Sequence, residues 1–295
     1  MKKYFLSLAL ILAIFLSWYL FIKSYDYKIS FMVKTYPGTI NQTIKIWNTS
    51  LENAKIINSK SINSLEQEII IDNHTYIYNW KVNLINDSTS KVEVYISELS
   101  NSLINKITIP FLETNIEKDS QKVVKDFYEI IKKHLNNINV KVVGLSEFER
   151  TYCIYVPVKT TQIGKANGMM HYYPLISSFI VESNIQSNGF PIIEITNWNS
   201  NKDSLEYNFC FPIIKTDTLP SHAVLQYKWL ENTKALKAIY NGNYITSDRA
   251  WYSLMNYAEK NKIETINKPI ERFYNNPNFG NNEKEWQADI FLPIK

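Results

Sequence analysis

Gly189-Phe190-Pro191-Ile192-Ile193-Glu194-Ile195-Thr196-Asn197 and Asn267-Lys268-Pro269-Ile270-Glu271-Arg272-Phe273-Tyr274-Asn275 read as two versions of one strand. Each is followed by a second strand with a matching end, Tyr207-Asn208-Phe209-Cys210-Phe211-Pro212-Ile213 in the first case and Ala288-Asp289-Ile290-Phe291-Leu292-Pro293-Ile294 in the second. Working backwards, each is preceded by a helical stretch and, before that, a strand. These fall at about 172–182 and 152–158 in the first copy, and at 248–260 and 234–240 in the second. Thr246 or Ser247 is a candidate cap for the second helix, with Asp248 favourable in its first turn. Pro174 suits the first turn of the first helix. Repetition of the same pieces in the same order decides the fold of this half: a β-α-β-β unit used twice, giving two helices on one face of antiparallel sheet and a groove between the halves.

Aligning Pro191 with Pro269 sets Ile193 against Glu271 and Ile195 against Phe273. Side chains alternate along a strand, so each pair shares one face. In the first copy that face is apolar and therefore turned inward. The second copy places a carboxylate there, which is costly unless it has a partner or a task. Glu271 is therefore the residue to single out. The other reading is a salt bridge to Arg272, Arg249 or Lys268, or exposure at a sheet edge.

The chain begins differently. Lys2 and Lys3 precede an apolar run from Tyr4 to Ile22, interrupted by Ser7 and Ser17. As a helix this run measures about 30 Å, the thickness of a bilayer's hydrocarbon layer. It ends in Trp18-Tyr19-Leu20-Phe21-Ile22, which suits an aromatic interface anchor better than a signal-peptidase site. Residues 1–25 are expected to be a single-pass anchor, lodged in the membrane through residues 4–22, with the soluble body on the extracytoplasmic side.

Residues 26–146 read as one domain. A strand at 27–34 is followed by a turn at Pro37-Gly38 and a short helix with Ile40, Ile44, Ile46 and Trp47 turned inward. Strand patterns recur at 65–72, 76–85, 91–97 and 106–111. Val123, Val124, Phe127, Ile130, Ile131 and Leu135 then trace the apolar stripe of a long amphipathic helix over 117–135. This order resembles the START-like (SRPBCC) helix-grip fold over about residues 26–140. The resemblance implies a sheet wrapped around the last helix, with a lipid-binding cavity between them. A β-rich domain with a filled core is the other reading.

The pieces of 147–295 resemble the GyrI-like effector-binding domain, the ligand-binding half of several multidrug-sensing transcription regulators. The markers are Gly164-Lys165-Ala166-Asn167-Gly168-Met169, Tyr240-Asn241-Gly242-Asn243-Tyr244, Pro269-Ile270-Glu271-Arg272-Phe273-Tyr274 and Ile290-Phe291-Leu292-Pro293-Ile294. The resemblance implies that Glu271 lies at the base of a pocket and meets the charge of lipophilic cations. Candidate wall residues are Tyr155, Tyr172, Tyr240, Tyr244, Trp251, Tyr274 and Trp286. A desolvated carboxylate among aromatic rings favours a flat cation by charge attraction and ring-face contact.

The expected fold class is thus α+β: a transmembrane helix, a START-like domain, and a duplicated β-α-β-β domain. The 295 residues hold 20 Tyr, 14 Phe and 7 Trp, in keeping with an aromatic-lined ligand site. The net charge is only +4, with 32 basic residues scattered among 28 acidic ones. That argues against a nucleic-acid surface. No helix-turn-helix reader accompanies the effector-like domain, which argues against direct transcription control. His74, His134, His171 and His222 lack ligand spacing, so no metal or cofactor is expected. His134 near a helix C-terminus is favourable as a cation. Cys153 and Cys210 read as buried thiols, with a disulfide the alternative in an exported domain. No catalytic signature is present; the chain lacks a nucleophile elbow and a Gly-rich phosphate loop.

Three functions stay open: a membrane-anchored protein that captures hydrophobic ligands, cationic ones included; a hydrolase of reactive xenobiotics, as some stand-alone GyrI-like relatives resemble, with Glu271 as general base; and a protein-interaction module. The sequence leaves the oligomeric state unset.

Overall fold

The computed structural model describes every residue except Met1, Asn201, Lys202, Asn278, Phe279 and Asn281. It is α+β, with two antiparallel sheets and an apolar N-terminal helix. The chain divides into two compact units, Met1–Lys132 and Lys133–Lys295.

The first unit opens with α1 (Lys2–Ser17), which widens into a π-helical turn over Trp18–Ile22. The span Lys3–Ile22 is 20 residues and is long and apolar enough to cross a membrane. Its five-stranded sheet runs β1-β5-β4-β3-β2, with β1 (Tyr27–Val33), β2 (Ala54–Ser61), β3 (Ser64–Ile71), β4 (His74–Asn86) and β5 (Thr89–Glu98). Between β1 and β2 lies α2 (Pro37–Asn48), with Pro37 in its first turn where the missing N–H costs nothing. Ile40, Ile44 and Trp47 are buried as expected, whereas Ile46 is half-exposed. α4 (Asn115–Asn136) runs at the expected place. Phe127 on α4 meets Trp47 and Trp80 with ring centroids 5.3 and 5.0 Å apart, so rings fill the space under the helix. Tyr76 Oη donates to Asp119 at 2.9 Å and ties α4 to β4.

Two expectations for this unit need correcting. Residues 106–111 are not a strand: α3 (Ser102–Thr108) occupies the region, followed by turns. β2 shows no apolar run and was not anticipated. It pairs only at the sheet edge, where the exposed Lys55 and Lys60 suit solvent.

The second unit is built on an eight-stranded sheet of order β10-β7-β9-β8-β12-β13-β11-β6. The strands are β6 (Asn139–Phe148), β7 (Thr151–Thr160), β8 (Ile192–Asn199), β9 (Ser204–Pro212), β10 (Gln226–Leu230), β11 (Thr233–Asn241), β12 (Ile270–Phe273) and β13 (Gln287–Pro293). α5 (Lys165–Glu182) follows β7, and α6 (Arg249–Lys260) follows β11. The strand-helix-strand-strand order therefore occurs twice, as β7-α5-β8-β9 and β11-α6-β12-β13, and β8 meets β12 at the centre. α5 begins well before 172 and carries Pro174 in its interior rather than its first turn.

β6 and β10 were not expected, and they explain the shape of the sheet. β6 lies at one edge beside β11, yet only Glu149 and Arg150 separate it from β7, six strand positions away. A flat sheet would put those strands roughly 29 Å apart, whereas the link reaches about 11 Å. The sheet must therefore curl until its edges approach. Arg150 Nε meets Glu231 Oε2 at 3.1 Å, joining this link to the equally short one between β10 and β11. The curl encloses a core to which each of the eight strands gives one residue: Phe148, Cys153, Ile192, Cys210, Leu230, Ala235, Ile270 and Phe291. The opposite face packs under α5 and α6 through Ile193, Ile195, Phe273, Ile176, Trp251 and Leu254.

Candidate functional site

Glu271 lies on the helix-covered face of β12 and is fully buried. It is the cross-strand partner of Ile193. Its carboxylate is saturated with donors. Lys165 Nζ, at the first residue of α5, reaches Oε1 at 2.8 Å and Oε2 at 2.7 Å. Trp251 Nε1, from α6, donates to Oε1 at 2.6 Å. Ser247 Oγ accepts from Lys165 at 2.7 Å; its own proton has Glu271 Oε2 at 2.9 Å and Tyr244 O at 3.0 Å to choose between. The ammonium also sits 5.0 Å from the centroid of the Trp251 ring.

The partner of Glu271 is thus Lys165, and not Arg272, Arg249 or Lys268. Arg272 points to the other face, over the rings of Phe148 and Phe291. Lys165 is itself fully buried. A lysine at a helix N-terminus opposes the helix dipole, and a buried one must also be paired. Glu271 meets both demands. That conflict was the available sequence signal: a lysine directly after Gly164, at the head of an apolar helix, needs an acid.

Close packing holds Lys165 in place. Tyr207 Oη, from β9, donates to Lys165 O at 2.9 Å. Gly168 makes this approach feasible, because a Cβ there would lie 2.2 Å from Tyr207 Oη. Burial and the nearby Glu271 carboxylate push the Tyr207 phenol well above its ordinary pKa, so it stays a donor. On the α6 side, Gly242 adopts φ +146°, a backbone form L-residues rarely take, in the turn that delivers Asn243 and Tyr244.

The expected wall residues divide between the two faces. Tyr240, Tyr244, Trp251 and Trp286 are buried in the helix-side core, and Tyr172 is packed against it. Tyr240 Oη donates to Asn243 O at 2.8 Å, Tyr244 Oη to Gln287 O at 2.7 Å, and the Tyr244 ring stands 5.6 Å from that of Trp286. Tyr155 lies on the other face, beside the enclosed core, with its hydroxyl on Gln226. Tyr274 also departs from the Glu271 face and donates to Asp289 Oδ2 at 2.7 Å. Sequence reasoning missed Trp198, whose ring stands 5.0 Å from Trp251 and whose Nε1 donates to Gln162 Oε1 at 3.1 Å. An open groove on α5 is lined by Leu175, Phe179, Glu182 and His222, and none of the expected wall residues lines it.

Neither Thr246 nor Ser247 caps α6. Asp248 occupies the cap position without a side-chain cap bond. Its carboxylate accepts instead from Arg249 Nη1 at 2.9 and 3.0 Å and from Gln162 Nε2. Arg249 is buried, and its Nε and Nη2 have no hydrogen-bond partner. His134 is not the surface cation expected at a helix end. Burial, and then the Arg249 charge, lower its pKa to about 4, and its Nε2 is buried without a partner. Cys153 and Cys210 are free and buried. Among the described residues no cluster of His, Cys, Asp and Glu could hold a metal.

No family profile matches the sequence, and neither does any curated protein. Solved structures do align. The C-terminal domain of EcmrR is 14% identical with a TM-score of 0.44, covering 54% of this chain and 98% of that one. SAV2435 bound to tetraphenylphosphonium is 12% identical at 0.38, covering 51% and 92%. A hydrolase from Listeria innocua is 8% identical at 0.36, covering 52% and 93%. With every score below 0.5, nothing further rests on these likenesses.

Proposed function

We propose that the chain is a membrane-anchored small-molecule-binding protein whose second unit is a GyrI-like effector-binding domain. Residues 3–22 are its bilayer span, and the GyrI-like assignment rests on the four sequence markers. The observation that carries the binding reading is a fully buried carboxylate, Glu271, set among Trp251, Trp198 and Tyr207. In the state described, the Lys165 ammonium stands where the charge of a cationic ligand would sit. Lys165 is then a tethered internal cation: a hydrophobic cation captures Glu271 by displacing it, while the aromatic side chains replace water around the ligand.

The hydrolase reading asks Glu271 to take a proton from water, yet both its oxygens already accept from Lys165. The first unit keeps its START-like resemblance, with the ring-filled space under α4 favouring a packed core over a cavity.

The test is a tryptophan-fluorescence titration of the detergent-solubilised full chain with tetraphenylphosphonium, a lipophilic cation without hydrogen-bond donors. Micelle partitioning is common to all variants. Wild type should show saturable quenching, Lys165→Met should bind more tightly, and Glu271→Gln should lose about ten- to a hundredfold in affinity. Equal, unsaturable quenching in all three removes the cation reading.

A further inference from the structure

α3 is built inside out. Its inward side is polar: Asn105 and Lys106 are only 8% and 6% exposed. Its outward side is apolar: Leu103, Ile104 and Ile107 are 45%, 63% and 52% exposed. The chain before and after the helix continues the pattern, with Leu99 at 68%, Phe111 at 83% and Leu112 at 67%. Six large apolar side chains within fourteen residues thus face outward. Isolated exposed leucines are ordinary in water, but a contiguous set of this kind marks a surface that meets something apolar.

The inward side fixes where this surface lies. Asn105 Nδ2 donates to Glu98 Oε2 at 2.6 Å, and Ser102 Oγ donates to Asp26. Lys106 Nζ reaches Leu20 O at 3.3 Å and also donates to Lys23 O. Leu20 lies in the last turn of the apolar N-terminal span and Lys23 directly follows it; those last turns carry Trp18 and Tyr19. The buried lysine therefore bolts α3 to the point where the span runs out. An apolar surface held there, next to interface-type aromatics, adjoins the bilayer by construction.

We propose that residues 99–112 form a monotopic lipid-docking surface, with Leu103, Ile104, Ile107 and Phe111 immersed in the headgroup–acyl boundary of the bilayer that residues 3–22 cross. The proposal rests on that span being transmembrane. Interfacial segments of this type sit about 5–10 Å into the boundary, apolar face down. The inverted polarity of α3 is then the correct one for its solvent. The first unit is seated on the lipid instead of swinging from a tether.

The experiment uses the full chain in vesicles of equal parts phosphatidylcholine and phosphatidylglycerol. Single nitroxide labels are attached at Ile104→Cys, Phe111→Cys, Leu12→Cys and Lys60→Cys; the native cysteines are buried and do not compete for label. Collision with oxygen, which concentrates in lipid, is compared with collision with a water-soluble nickel chelate. The expected result is a lipid-type ratio at Leu12, Ile104 and Phe111, about tenfold above that at Lys60 in β2. A lipid-type Leu12 with water-type ratios at Ile104 and Phe111 overturns the docking surface and leaves the anchor standing. A water-type Leu12 overturns the anchor and the docking surface together. Shielding of Ile104 and Phe111 from both reagents means a protein surface or a second copy covers the patch, and the lipid assignment falls.

Discussion

Ile193 and Glu271 face each other across the β8–β12 pair at the centre of the second unit's sheet, and they hold the same place in the two matching stretches of sequence. One position is apolar and the other charged, so the sheet carries at its middle an asymmetry that packing alone does not require. Breaking the Lys165–Glu271 pair from one side should be severe, because it strands a buried charge. Lys165→Met or Glu271→Ile alone is expected to cost the second unit about 3–5 kcal/mol, whereas the double variant should recover most of that loss. Urea unfolding followed by hydrogen exchange in peptides of residues 133–295 would measure it. Additive losses in the double variant would show that the two residues are not coupled.

Gly168 offers a sharper geometric test. Alanine in a helix interior ordinarily gains about 1 kcal/mol over glycine. Here the new Cβ would meet Tyr207 Oη at 2.2 Å and Val158 Cγ1 at 3.1 Å. Gly168→Ala should therefore destabilise by about 1–2 kcal/mol. In a Tyr207→Phe background the offending oxygen is gone, and the same substitution should become neutral or favourable. An equal cost in both backgrounds would place the constraint elsewhere.

Periodicity made several elements legible. The stripe of Val124, Phe127 and Ile131 declared α4, and Pro37 declared the start of α2. The inward face of Glu271 followed from alternation and the repeat. What stayed hidden depends on partners distant in sequence. β6 is a strand because it pairs with β11, and nothing in residues 139–148 names that partner. Lys165 lies 106 residues from Glu271, so the donor that fills the site could be suspected only from its poor fit to a helix N-terminus. Residues 106–111 misled because an apolar segment turned outward from the fold gives the same local pattern as a half-buried strand.

Cys210 should behave as an inert thiol. Burial raises its pKa well above the ordinary value, and the adjacent Cys153 thiol adds to the effect. Both lie in the core enclosed by the curled sheet. Since only thiolate reacts readily, iodoacetamide at pH 8 should modify the folded chain at least about a hundredfold more slowly than the urea-unfolded chain. Mass spectrometry of alkylated peptides reads this directly. Rapid labelling of Cys153 or Cys210 in the folded state would mean the curled sheet opens easily.

His134 gives the second unit a defined acid sensitivity. Its folded pKa of about 4 lies below the unfolded value near 6.5, through burial and the Arg249 charge, with Asp248 opposing only weakly. The folded state therefore binds fewer protons than the unfolded one between those values. The stabilising contribution of neutral His134 is whole above pH 6.5 and drains as the pH falls toward 4. Between pH 7.5 and pH 5 the second unit should lose about 2 kcal/mol from this residue alone, and His134→Leu should abolish that increment. His74 works in the opposite sense in the first unit, where its bond to Glu98 raises its pKa. The reading must therefore come from hydrogen exchange in residues 133–295, comparing wild type with His134→Leu at each pH. Parallel stability curves for the two proteins would mean that His134 does not titrate on unfolding and that its buried Nε2 is hydrated.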